Sequence, residues 1–304
     1  MSFIQILILA VIQGMAELLP VSSSAHVIVA EKWMGLDPST PEMTFFLVML
    51  HTGTMFAVLI YFWPRWKRLN FNFFKSVFLA TAFTGIVGLS LKKIIEKVIL
   101  EGMLGHAHGE VEHLFKSMPM IAAALFSVGL FILYTGTRKT KNLKNQISSG
   151  NRGNALESAQ IDSGSKEVRF RSSILIGIVQ GLCLPFRGFS RSGATISTAL
   201  LSGISRQTAE DFSFALAVVL TPPVILLELF RLLKGTAGGM NPTHLADLFP
   251  LFAPGLIGMV FSFAAGLLAL RWLSRWLERG LWKYFGIYCI VASGGVVFLQ
   301  AYWF

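Results

Sequence analysis

The sequence predicts an all-α polytopic membrane protein, with six transmembrane helices plus two re-entrant helical hairpins in an inverted-topology repeat. Three observations predict it. Of 304 residues, 54% are hydrophobic and 14% charged, and several apolar runs approach the ~20 residues that span a bilayer. Runs such as 216–229 lack the polar face that a large soluble helical domain would need. Two stretches, 13–26 and 180–197, interrupt this apolar sequence with one shared plan: a Gln-Gly pair, a Pro, then hydroxyls at a helix start.

Residues 3–19 read as a helix too short to span comfortably. Pro20 ends it, and Ser22 or Ser23 can cap a second short helix to about Met34. Two short helices about a polar break suggest a re-entrant hairpin. Spans follow at 45–63, 77–95 and 118–134. Residues 138–171, rich in Ser, Asn, Gly and Lys, have no apolar period and read as a disordered loop. Residues 173–184 and 191–202 form a second pair of short helices. Further spans cover 212–233, where Pro222-Pro223 should kink the helix, 249–270, and 281 to the C-terminus.

Strongly basic loops follow Trp63, Tyr134 and Leu270. All three should be cytoplasmic, and they are so only if residues 173–202 do not cross the membrane. Both termini and the loop near Asp37 then lie outside. Residues 1–304 form one integral membrane domain, with a first repeat at 1–137, the cytoplasmic loop at 138–171 and a second repeat at 172–304. Each repeat is a hairpin followed by three spans, so an odd number of crossings inverts the second.

The net charge of +10 is concentrated in those loops and orients the protein; it is not a nucleic-acid signal. Cys183 and Cys289 lie in apolar sequence without CxxC spacing, which predicts two buried thiols. A cleaved signal peptide is disfavoured because there is no positive n-region before Lys32 and Glu17 is misplaced for one. His106, His108, Glu110, Glu112 and His113 have metal-like spacing but read as a solvated loop.

The chemistry sits in the two interrupted stretches. A charged residue at membrane depth costs about 2.5–3.5 kcal/mol on insertion scales, so Glu17, His26, Arg187 and Arg191 need a reason to be there. A half-helix N-terminus carries roughly half a positive charge and suits a phosphate. Arg191 adds a bidentate fork for phosphate oxygens. His26 can attack phosphorus or act as acid–base. Glu17 can hold a divalent metal or orient His26 or water. Gln13, four residues before Glu17, shares its helix face. Each residue alone has a bland explanation: a core histidine, a polar knot, a capping serine, a snorkelling arginine. Their joint occurrence in a matched pair of broken helices favours a site.

These residues resemble the undecaprenyl-diphosphate phosphatase family, the bacitracin-resistance proteins. Gln13 and Glu17 match its (Glu/Gln)-x-x-x-Glu motif, and residues 19–26 match the Leu-Pro-x-Ser-Ser-x-x-His run that follows. Gly188, Ser190, Arg191, Ser192 and Thr195 match its Pro-Gly-x-Ser-Arg-Ser-x-x-Thr motif, and the likeness extends to His51-Thr52-Gly53. The resemblance implies a membrane phosphatase that removes the terminal phosphate of undecaprenyl diphosphate and recycles the cell-wall lipid carrier. It implies the bacterial plasma (inner) membrane, an outward-facing site and a divalent cation, Mg or Ca, at Glu17. Its catalytic residues would be His26, Glu17, Ser23 and Arg191, with His26 or a serine as nucleophile. Gln13, Ser22, Ser190, Arg191, Ser192, Thr195 and Arg187 would bind substrate. Arg187 stands where the family has Pro, and can add a phosphate contact; residues 138–171 make a longer loop than the family needs.

The expected partners are a polyprenyl diphosphate lipid and the membrane, with no nucleic acid; a second copy of the chain is admitted. A transporter or flippase of a lipid phosphate or other anion would use the same arginine and helix ends. It would need neither the imidazole nor the carboxylate. A purely structural subunit would not group polar residues at depth.

Overall fold

The computed structural model describes residues 1–37, 40–95, 117–148, 167–237 and 249–302. These form ten helices and no strand: α1 (Phe3–Leu18), α2 (Ser23–Trp33), α3 (Pro41–Trp66), α4 (Phe71–Ile94), α5 (Met118–Ser148), α6 (Phe170–Cys183), α7 (Arg191–Leu201), α8 (Arg206–Ala237), α9 (Phe249–Glu278) and α10 (Trp282–Tyr302). Six of them contain a stretch long and apolar enough to cross a bilayer: α3, α4, α5, α8, α9 and α10. Phe3–Leu18 and Phe170–Cys183 are apolar but shorter. The expected six spans and two pairs of short helices are all present among the described residues.

Several short-helix ends fall one residue inside the expected bounds. The larger differences from the sequence expectation are extensions: α3, α5, α8 and α9 run further than their apolar cores, and α4 starts at Phe71. Basic and aromatic residues carry them on, because long side chains keep their charge in water while the helix continues. The pairs at the basic loops illustrate this, with Lys67 over the Trp63 ring at 5.0 Å, Arg138 over Tyr134 at 5.9 Å and Lys283 over Tyr284 at 5.3 Å. The loop expected from Arg138 is shortened on both sides. No Gly or Pro interrupts 138–148, so α5 persists through Ser148, and α6 begins at Phe170. Residues 149–166 and the cluster at 106–113 lie outside the described residues.

The chain divides into two compact units. One comprises Met1–Leu19, His26–Arg68 and Ala217–Leu273. Its core packs Ile6, Leu9 and Ala10 of α1 against Val27 and Ala30 of α2 and Met43, Phe46 and Leu50 of α3. Glycines bring α9 against both α1 and α3. A Cβ on Gly14 would lie 2.5 Å from the Ser262 carbonyl oxygen, and one on Gly53 would strike that of Met259. Ser262 Oγ donates to the Leu50 carbonyl at 2.9 Å, which ties α9 to α3.

The other unit comprises Pro20–Ala25, Leu69–Leu216 and Ser274–Phe304. Here too helices approach through small residues. Gly177 of α6 presses on the Ala80 backbone of α4, and Gly286 of α10 on Leu133 of α5. At the first of these seams Thr84 Oγ1 lies 2.8 Å from the Ala80 carbonyl and 3.0 Å from that of Gly177, while Gln180 Nε2 donates to Thr84 Oγ1 at 3.2 Å. Cys183 and Cys289 are buried and unpaired with each other, as expected.

Candidate active site

On α1 the spacing Gln13–Glu17 does what its period requires. The two side chains meet, Gln13 Nε2 donating to Glu17 Oε2 at 3.1 Å. The same amide nitrogen lies 2.9 Å from Nδ1 of His51 on α3, and that Nδ1 is 3.6 Å from Glu17 Oε2. An ionised carboxylate only accepts hydrogen bonds, so the amide turns its NH2 toward Glu17. Its second hydrogen then goes to His51, making Nδ1 an acceptor and placing the ring proton on Nε2. Gln13 is 2% exposed; the Glu17 side chain is 15% exposed and that of His51 42%. A buried amide thus holds a carboxylate and an imidazole that both reach toward the surface of their unit.

The polar break after α1 is not a simple cap. Ser22 takes φ 67°, the left-handed region, which a capping residue does not use. α2 begins at Ser23, so Ser22 stands immediately before it in a backbone conformation unlike the extended one at the start of α7. Ser22 is buried, with its hydroxyl 3.3 Å from that of Ser24. A non-glycine residue here costs on the order of 1–3 kcal/mol and persists only where its surroundings enforce it. Ser24 Oγ accepts from the Gly188 N–H at 3.1 Å, so the two polar breaks touch. Gly188 itself needs to be glycine: its φ is +98°, and a Cβ would sit 2.5 Å from the Ile121 carbonyl oxygen on α5. Cys289 of α10 adds a bond to the Pro20 carbonyl at 3.3 Å.

The second break opens on a side-chain cap. Ser190 Oγ accepts from the Gly193 N–H at 3.2 Å and opens α7. Ser192 Oγ lies 3.4 Å from Ser190 Oγ. Thr195 is wholly buried, with its hydroxyl 2.9 Å from the Arg191 carbonyl and 2.6 Å from the hydroxyl of Ser213 on α8, where either hydroxyl can donate. Thr195 therefore anchors α7 to α8 in this structure. Arg191 is the first residue of α7, Arg187 lies in the break before it, and both are half-buried. Ser23 and His26 occupy the first turns of α2 and are likewise half-buried.

Among the described residues no three His, Cys, Asp or Glu side chains gather into a metal cage. The donor set fits a looser mode: Mg2+ is commonly held by one or two carboxylates, completed by waters and substrate phosphates. Glu17 can be that carboxylate.

Sequence reasoning placed Gln13 with Glu17 correctly but gave His51 no role beyond a family likeness. The signal was present, an imidazole alone in the apolar run 45–63. Nothing in periodicity pairs it with a helix 38 residues earlier.

The chain matches the family model for Bacitracin resistance protein BacA over residues 6–296. It is 53% identical to Undecaprenyl-diphosphatase 2 of Acinetobacter baylyi, across 98% of each chain. It is 31% identical to Undecaprenyl-diphosphatase 1 of Burkholderia pseudomallei, across 96% of this chain and 95% of the relative. Undecaprenyl-diphosphatase 2 of Burkholderia thailandensis is similar at 31% over the same shares.

Proposed function

The chain belongs to the bacitracin resistance protein BacA family, and on that premise we propose how its residues hydrolyse undecaprenyl diphosphate. It is a multi-pass membrane phosphatase that releases undecaprenyl phosphate and inorganic phosphate, which recycles the cell-wall lipid carrier and accounts for resistance to bacitracin. One structural observation carries the reading to the site: a carboxylate, Glu17, held by a buried amide on an apolar helix. Phosphate release from a C55 lipid diphosphate by purified protein, with and without a chelator, tests it. No release under either condition would overturn it.

Phosphoryl transfer is catalysed mostly by positioning and charge stabilisation. Arg191, at the positive end of α7, is assigned to the terminal phosphate, with Ser190 and Ser192 beside it. Ser22, Arg187, Gln13 and Thr195 complete the binding set, Gln13 through its hold on Glu17 and Thr195 through its anchoring of α7. His26 serves as the nitrogen base and takes a proton from the attacking water, or it attacks phosphorus itself and the resulting phosphohistidine is then hydrolysed by water to release inorganic phosphate. The bond between the bridging oxygen and the terminal phosphorus breaks, and the lipid phosphate leaves with that oxygen. A divalent cation, Mg or Ca, held at Glu17 would neutralise charge on the transferred group. Ser23, in the first turn of α2, is the serine to test for nucleophilic attack.

Arg191→Lys should lose most turnover while keeping the charge, because the bidentate fork is gone. Arg187→Ala should be milder. Near-normal rates in Arg191→Lys would make Arg191 an electrostatic or structural residue only.

We also assign α1–α2 and α6–α7 as re-entrant hairpins of an inverted repeat in the inner membrane, with the basic loops cytoplasmic and the site facing out. Repeats at 1–137 and 172–304, joined through a cytoplasmic connection, follow from the same parity. Arg169 and Leu201, both exposed at the two ends of α6–α7, provide the check. Cysteines placed there one at a time should both react with an impermeant thiol reagent from the cytoplasmic side. Labelling from opposite sides would exclude the hairpin.

A further inference from the structure

We infer that His51 is a positioning residue for the carboxylate at the reaction centre, acting through Gln13. The inference rests on the reading above, in which Glu17 takes part in hydrolysis. It stands on the geometry of three side chains from two helices. Gln13 Nε2 is shared between Glu17 Oε2 at 3.1 Å and His51 Nδ1 at 2.9 Å. An amide nitrogen has two hydrogens, and these two acceptors use both. His51 thereby fixes the rotation of the Gln13 amide plane. Without that acceptor, the amide can satisfy Glu17 in several orientations, and its hold on the carboxylate is no longer fixed in direction.

The helix packing makes His51 a firm reference point. α3 is seated against α9 through Gly53, two residues on, where a Cβ would meet the Met259 backbone. Thr52 and Thr54 bond back to the carbonyls of Val48 and His51. The backbone carrying the imidazole is thus set by close contact, while the ring itself lies across to α1. Partners that orient ligating or reacting groups typically matter about 10–100-fold when removed.

The two ring nitrogens make the inference testable. Asn places its amide oxygen near the position of Nδ1, and Gln places its polar group near that of Nε2. His51→Asn keeps the acceptor for Gln13, whereas His51→Gln keeps only the outer group. The expected result is a kcat lowered about 10-fold in His51→Ala, with KM for a C55 lipid diphosphate unchanged. His51→Asn should recover most of the loss and His51→Gln little of it. Wild-type kcat in all three variants would overturn the inference. So would equal losses in all three, which would mean a structural role. Rescue by Gln and not by Asn would also overturn it, and would point to a direct contact through Nε2. Glu17→Ala, assayed alongside, separates the two readings. If it keeps turnover, the assignment of Glu17 fails. If it is inactive while the His51 variants behave as wild type, only the His51 inference fails.

Discussion

Glu17→Ala and His26→Ala are each expected to lower turnover by about 100-fold or more, and the double variant to be little worse than either. The expectation follows from residues acting as one unit, whose losses do not add. Glu17 is held at the end of α1 by Gln13, and His26 follows on the first turns of α2 after the Pro20 break. A carboxylate that organises a cation or a base contributes nothing once the base is gone, and the reverse holds too. Substrate affinity should survive His26→Ala, because Arg191 and the start of α7 remain. Initial rates for the two single variants and the double, with the affinity of His26→Ala, decide the matter. Effects that multiply would mean that the two residues serve separate steps. Substantial metal-dependent release by His26→Ala would move the attacking role to Ser23.

Gly177→Leu is expected to prevent assembly of a stable protein. A Cβ at this position already meets the Ala80 backbone of α4, and backbone cannot swing aside as a side chain does. Overpacking a yielding core costs about 1–3 kcal/mol; a clash with a helix backbone should exceed that. The same seam carries Thr84 and Gln180, so separating the helices also breaks buried hydrogen bonds. Gly85→Ala on α4 is the control, since nothing lies within 4 Å of its missing Cβ. Alanine there should be neutral or gain up to about 1 kcal/mol from helix propensity. Thermal unfolding in detergent distinguishes the two. A Gly177→Leu protein melting with the wild type would show that the α4–α6 seam is not close-packed.

Much of the architecture was legible because it depends on local features. Pro20 lies just past the end of α1, as its sequence position suggests, and an apolar run of span length has few alternatives in water or lipid. Helix ends were misjudged because their extensions are basic and polar, and hydropathy stops before the hydrogen bonding does. At the first break Ser22 stands before the helix, but in a left-handed conformation that no local pattern announces. Sequence shows a serine before a helix and suggests a cap, whereas the partners of this break, Gly188 at Ser24 and Cys289 at Pro20, lie far along the chain. The same distance hid His51. Its partner, Gln13, lies on another helix, and no period along one helix says which neighbour it faces.

The outer surfaces of these helices have a consequence for how the protein must be handled. In each of the six membrane-length windows half or less is buried, and in that of α4 only 22%. Phe78, Ile86 and Leu89 of α4 and Val291 and Phe298 of α10 remain exposed. Hydrocarbon covers such side chains whether or not the helices are assembled, so burial from water contributes little to choosing the assembled state. A detergent that matches hydrocarbon and one that competes for the glycine seams will therefore give different melting temperatures for the same sequence. Measured stability is then a joint property of the chain and its amphiphile, and variants can be ranked only within one micelle or one lipid mixture.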